Sequence, residues 1–161
     1  AMVPEFLRER CAITDFTENH DLLVIGTDSQ IDFKITKEAH GDLPKEVVKL
    51  KPSEAELVKY FNNCYNATLI TFANAFSEAC KIMRVDYSNV MNCVSKRDHI
   101  SRKYLQCNES FKGFGGMCLP KDMRALSHIC KDSKVSFFSD TLKQNKKFKT
   151  TILEGMRGED E

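Results

Sequence analysis

Cys118 stands in "KGFGGMCLPKD", residues 112–122, where three glycines, a proline and a Lys–Asp pair crowd around one thiol. Glycine permits positive φ and lets a backbone approach a ligand closely. A helix is expected to begin near Pro120, and Lys121 follows the thiol by three residues. A thiol at a helix N-terminus beside a cation leans toward the thiolate, the form that attacks carbon. A buried cysteine in a tight glycine turn fits the same local features equally well. Asp122, four residues after Cys118, could orient a water or a substrate hydroxyl. It is equally a plain acidic residue, favourable near the positive end of a helix.

Lys59 and Asn63 lie four apart in "AELVKYFNN", so on a helix they share a face. An ammonium and a carboxamide at the margin of an apolar stripe can bind an oxyanion or a hydroxyl. Spacing alone favours a plainer reading, in which Lys59 pairs with Glu56 on a solvated face. Glu5 and Glu9 in "PEFLRE" repeat the i, i+4 spacing, and either would serve as a general base if partly buried. Exposed acids beside Arg8 and Arg10 would need no such role. His20, His40, His99 and His128 are scattered, with no ligand partner nearby, and no metal site is expected. That scatter also weakens a free-standing thiol hydrolase, which needs a histidine beside its cysteine.

The elements that must hold these residues can be read in outline. "DLLVIG" is a short apolar run ended by glycine, which suits a buried strand. "QIDFKIT" alternates Ile31, Phe33 and Ile35 with polar residues and reads as a second strand; "EVVKLKP" offers another extended piece. A capping box at Ser53 and Glu56 opens a long helix to about Met83, with Leu57, Phe61, Cys64, Thr68, Phe72, Phe76 and Ala79 at helical spacing. Thirty-odd residues at ~1.5 Å each span roughly 45 Å. So long a helix in so small a chain calls for a second partner, and a homodimer through it is expected. Further helices are expected from about Asp86, around Ile100 to Leu105, after the glycine motif, and from about Phe138 to Leu153; the tail should be disordered. The fold class is mainly α with a small β-containing N-terminal part.

Composition narrows the classes. The 161 residues are 42% hydrophobic and 29% charged, with a net charge of +1, so neither a nucleic-acid nor a membrane partner is expected. No apolar run approaches a membrane span, and "AMVPEFLRER" has no signal-peptide pattern, which points to a cytoplasmic location. The seven cysteines are odd in number and lack CxxC or zinc spacing, so they read as reduced thiols, most of them small buried hydrophobes. No GxGxxG fingerprint occurs.

"PEFLRE", "AELVKYFNN" and "GFGGMCLPKD", in that order, resemble the UDP-glucose/GDP-mannose dehydrogenase family, over roughly Val3 to Asn145. The resemblance implies residues 1–50 as the end of an NAD-binding Rossmann domain, residues 51–150 as the central helical domain, and residues 151–161 as a tail. It implies NAD as cofactor, bound largely outside this chain, and a UDP-sugar as substrate. A sugar primary alcohol would be oxidised twice, through a thiohemiacetal and a thioester on a cysteine. Carried over, Cys118 is the nucleophile, Lys59 and Asn63 bind the reacting oxygen, Asp122 positions water and Glu5 is a base. Glu9, Phe6, Leu7, Phe114, Gly115 and His99 fall at substrate-binding positions. His99 stands where an arginine reaching a sugar in the partner subunit is usual, and Ala75 follows Asn74 where Asn-Glu is usual. UDP-glucose is the leading substrate, with a UDP-N-acetyl sugar or GDP-mannose as alternatives. An inactive dimerising helical module or remnant is the non-enzymatic alternative. Without the family's other domains, the chain alone is expected to be nearly inert.

Overall fold

A computed structural model of the chain describes residues 1–8, 11–108, 110 and 112–148. Glu9 and the tail 151–161 lie outside the described residues. The fold is mainly helical, with two parallel strands near the N-terminus. The chain divides into two compact units, Ala1–Asn62 and Asn63–Glu161, and the boundary falls within one long helix.

The first unit holds helix α1 (Ala12–Thr17), strand β1 (Leu22–Gly26), helix α2 (Gln30–His40) and strand β2 (Glu46–Leu50), and the long helix α3 (Pro52–Ile82) begins in it. Strands β1 and β2 pair in parallel, Leu22 against Glu46 through Gly26 against Leu50. Parallel neighbours need a crossover, usually a helix. That requirement overturns the strand expected at "QIDFKIT", which is α2. Ser29 caps it by accepting from the Asp32 amide at 3.1 Å, and Gly41, at φ 58°, closes it. Ile31 and Ile35 fit the helix as an i, i+4 pair, and both are exposed. Leu23, Val24 and Ile25 form the buried strand. Each such side chain contributes roughly 1.5–3 kcal/mol. Gly26 is required where β1 meets the start of α3: a Cβ there would stand 2.6 Å from the Ala55 Cβ and 3.0 Å from the Pro52 Cα.

Helix α3 begins slightly earlier than the expected Ser53 capping box. Pro52 is its first residue, and the Lys51 carbonyl accepts the first helical bond from the Ala55 amide at 3.0 Å. Glu54, not Glu56, reaches back to the Lys51 amide at 2.9 Å. At its far end Arg84 takes φ 58°, with the Val85 amide bonded to the Cys80 carbonyl and the Arg84 amide to the Lys81 carbonyl. This is a Schellman closure, made with arginine at the position that favours glycine.

The second unit packs helices α4 (Tyr87–Val94), α5 (Cys118–Ile129) and α6 (Phe137–Asn145) with the rest of α3. Asp86 caps α4 by accepting from the Ser88 amide at 2.7 Å, as the sequence suggested. Small residues on one face of α3 make two clusters. Cys64, Ala67 and Ile70 meet Phe114 and Met123, with Leu126, Phe138 and Leu142 around them. Ala73 and Cys80 meet Tyr87, Leu105 and Cys107. The helix expected around Ile100 to Leu105 is absent. Tyr104 lies at φ 62°, and the segment is a turn whose Leu105 carbonyl accepts from the Tyr87 hydroxyl at 2.5 Å. Helix α6 ends at Asn145, short of the expected Leu153; residues beyond 148 lie outside the described part.

Candidate active site

Cys118 is the first residue of α5, after Met117 at the N-cap, and its side chain is half-buried. The loop before it turns through two glycines in the left-handed region, Gly113 at φ 71° and Gly116 at φ 73°. An L side chain would be strained at either position. Asp122 lies one turn further into α5, on the same face. It is 2% exposed. Its Oδ2 accepts from the Asn63 Nδ2 at 2.6 Å, and its Oδ1 lies 2.7 Å from the Lys121 ammonium. The cation expected beside the thiol is thus engaged with Asp122. A hydrogen bond to a buried charge is worth roughly 1.5–3 kcal/mol, so Asn63 both fixes and stabilises the carboxylate.

Cys64 follows Asn63 and is buried beside the same carboxylate. Burial first, and the charge of Asp122 second, push its thiol up to about 11. Two thiols therefore meet contrasting surroundings. One is sealed and held protonated, and the other opens a helix at partial exposure.

The loop leading to Cys118 is anchored at three successive residues. The Lys112 ammonium bonds Glu78 Oε1 at 3.1 Å. The Gly113 amide donates to the Asn74 Oδ1 at 3.3 Å, which also accepts from the Cys107 thiol at 3.3 Å. The Phe114 amide donates to Asn145 Oδ1 at 2.9 Å, while Asn145 Nδ2 donates to the Phe114 carbonyl at 2.8 Å. Lys112 first, then Lys81, holds the Glu78 carboxyl below its usual range. The ring of Phe114 is buried in the core, Gly115 is half-buried, and His99 is exposed. Glu78 and Asn145 are not singled out by the sequence, and Asn74 stands there only as the neighbour of Ala75. Polar residues spaced along otherwise apolar helix faces were the available signal.

In the first unit, Lys59 is half-buried and donates to the Glu5 carbonyl at 2.5 Å, with its ammonium 5.9 Å from the centre of the Phe6 ring. Its partner is thus the "PEFLRE" backbone rather than Glu56. The Glu5 residue is exposed, and Phe6 and Leu7 are half-buried. Arg8 grips Asp15 on α1 through its backbone amide at 2.9 Å, Nε at 3.0 Å and Nη2 at 2.7 Å. The arginine holds the Asp15 carboxyl below the usual carboxylate range. The crossover also brings together two histidines that looked scattered in sequence: the rings of His20 and His40 lie 5.9 Å apart. Burial, then the neighbouring His40, pushes the His20 ring down from its usual value. No group of three metal-ligating side chains occurs among the described residues. No helix among them is long and apolar enough to cross a membrane.

The chain is similar to known proteins. The chain is 39% identical over 134 residues to the UDP-glucose 6-dehydrogenase TuaD of Bacillus subtilis, covering 83% of this chain and 28% of that protein. It is 35% identical over 130 residues to a GDP-mannose 6-dehydrogenase of Pseudomonas savastanoi pv. phaseolicola, covering 80% and 29%. Among solved structures, a UDP-glucose dehydrogenase from the archaeon Pyrobaculum islandicum superposes with a TM-score of 0.82 at 32% identity, over 90% of this chain and 33% of that one. The chain thus spans about three tenths of the length of these relatives. Residues 53–147 match the family model for the central domain, and the chain belongs to the UDP-glucose/GDP-mannose dehydrogenase family.

Proposed function

We propose that this chain supplies the covalent machinery of a nucleotide-sugar 6-dehydrogenase, in which UDP-glucose is oxidised to UDP-glucuronate at the expense of two NAD. The observation that carries this reading is Cys118 at the head of α5, with Asp122 one turn behind it in the grip of Asn63. The 39% identity to a UDP-glucose enzyme favours that sugar; relatives at 35% that act on GDP-mannose make it the second candidate. A UDP-N-acetyl sugar is a further alternative. Residues 1–50 read as the closing part of an NAD-binding domain and 51–150 as the central domain.

The described residues do not by themselves build a dinucleotide site. Strand β1 ends on Gly26, no glycine follows before α2, and the α2 N-terminus is capped by its own Ser29. NAD, held mainly by residues outside this chain, would accept a hydride at each oxidation, while the hydroxyl proton passes to solvent. This chain's residues would do the remaining work. The Cys118 sulfur adds to the aldehyde carbon to give a thiohemiacetal, which the second oxidation turns into a thioester. A water oriented by Asp122 attacks the acyl carbon, and the Cys118 thiolate leaves as the carboxylate forms. Lys59 and Asn63 are assigned to the reacting oxygen, where one donor is typically worth ~3 kcal/mol. Glu5 is assigned as the base that takes the water proton, and Glu9 is a second acid of its segment. Phe6, Leu7, Phe114, Gly115 and His99 are assigned to the sugar nucleotide. The reading implies a cytoplasmic enzyme that works as a homodimer through α3.

Residue-resolved alkylation tests the nucleophile. Cys118 should react faster at neutral pH than the exposed Cys93, and Cys64 should lag behind both. A Cys118 no faster than Cys93 would remove it as an activated nucleophile.

A further inference from the structure

The loop that delivers Cys118 turns through two glycines in the left-handed region. Its glycines give it freedom at Gly113 and Gly116, where φ is positive. Freedom of that kind is unhelpful for a nucleophile, since a misplacement of 1 Å can cost on the order of a hundredfold in rate. Something outside the loop must hold it.

We infer that Asn145, seconded by Asn74, is the positioning device that fixes where Cys118 stands; this rests on the reading of Cys118 as nucleophile. Asn145 is the last residue of α6, and its carboxamide pairs with both backbone groups of Phe114, at 2.9 Å and 2.8 Å. A side-chain amide here does what a neighbouring strand would do for a peptide unit, and it fixes direction as well as place. Asn74, 1% exposed on α3, takes the preceding amide, Gly113, at 3.3 Å. Its own Nδ2 donates to the Ile70 carbonyl at 2.7 Å, which locks the amide in one orientation. Adjacent peptide units are thus held from two different helices. Phe114 is also anchored through its ring, 3% exposed among Cys64, Ala67, Ile70 and Met123. From that pinned residue only Gly115, Gly116 and Met117 intervene before the thiol. The short run from a fixed point, through a glycine at a defined turn, sets the thiol at the helix head.

The test uses the whole chain and iodoacetamide, with rates and their pH profiles read separately at Cys118 and at the exposed Cys93 as internal reference. Asn145→Ala removes the clamp. Met91→Ala, in the other core cluster, is a destabilised control that removes none of the anchoring side chains. The Cys118:Cys93 rate ratio should fall about tenfold in Asn145→Ala. The Cys118 profile should also move toward that of Cys93, with neither change in Met91→Ala. A ratio that is unchanged or raised in Asn145→Ala overturns the inference, as does an equal fall in both variants. The unaltered chain separates the two claims. Coincident profiles for Cys118 and Cys93 there would sink the nucleophile reading, whereas an offset that survives Asn145→Ala sinks the clamp alone.

Discussion

At the scale of residues, the second unit holds two thiols in different surroundings. Cys64 lies against the Asp122 charge in a sealed core, so deprotonating it would put a second negative charge in that space. Cys118 opens a helix and is partly exposed. A histidine in the first unit yields a separate prediction. Burial lowers the His20 value in the folded chain from about 6.5, and both His40 and Asp21 bear on it. The unfolded chain therefore binds the proton more readily, so the stability contribution is complete above about pH 6.5 and is lost as pH falls below it. Denaturant midpoints should decline from pH 7 to 5, and His20→Leu should flatten that decline. An unchanged slope in the variant would show that other groups carry it. Asp15 acts in a lower window: its depressed value gives stability above about pH 3.9 that is lost as pH falls through the folded value. Types and spacings made Cys118, Lys59, Asn63 and Asp122 legible as candidates. Asn145 was not legible in the same way, because its partners are backbone groups 31 residues away.

At the scale of elements, length and punctuation decided what could be read. The apolar run of β1 and the proline-free stretch of α3 identified themselves. "QIDFKIT" carried a period-two pattern that a parallel crossover overrode, and the Ser29 cap was the local signal that favoured a helix. The turn at residues 100–105 depends on Tyr104 in the left-handed region and on a bond from Tyr87, 18 residues back. Neither is visible in a local window. The α3 closure offers a direct check. Arg84 occupies φ 58°, a conformation costing an L residue roughly 1–2 kcal/mol. Part of that gain is offset by the greater unfolded-state freedom of glycine. Arg84→Gly should therefore stabilise the chain by about 0.5–1 kcal/mol, raising Tm by about 2–3 °C. A lower Tm would mean that the arginine side chain holds a contact worth more than the strain.

At the scale of the whole molecule, the long helix α3 carries large apolar side chains at its surface. Leu57, Phe61, Phe72 and Phe76 are 54%, 71%, 57% and 43% exposed. Large apolar side chains left exposed along one helix suit an interaction face. A twin copy is the proposed partner, so sedimentation at micromolar concentration should give a dimer mass, and Phe72→Glu should shift it to the monomer. A monomer for the unaltered chain would contradict the pairing. Alone, the chain should produce no NADH from UDP-glucose and NAD, because hydride transfer needs a positioned cofactor. The most direct measurement replaces the central domain of the Bacillus subtilis relative with residues 53–147 and follows NADH released per UDP-glucose consumed. The expected result is two NADH for each sugar, abolished by Cys118→Ala. A folded chimera that oxidises neither UDP-glucose nor GDP-mannose, or one whose turnover survives Cys118→Ala, would contradict the assignment.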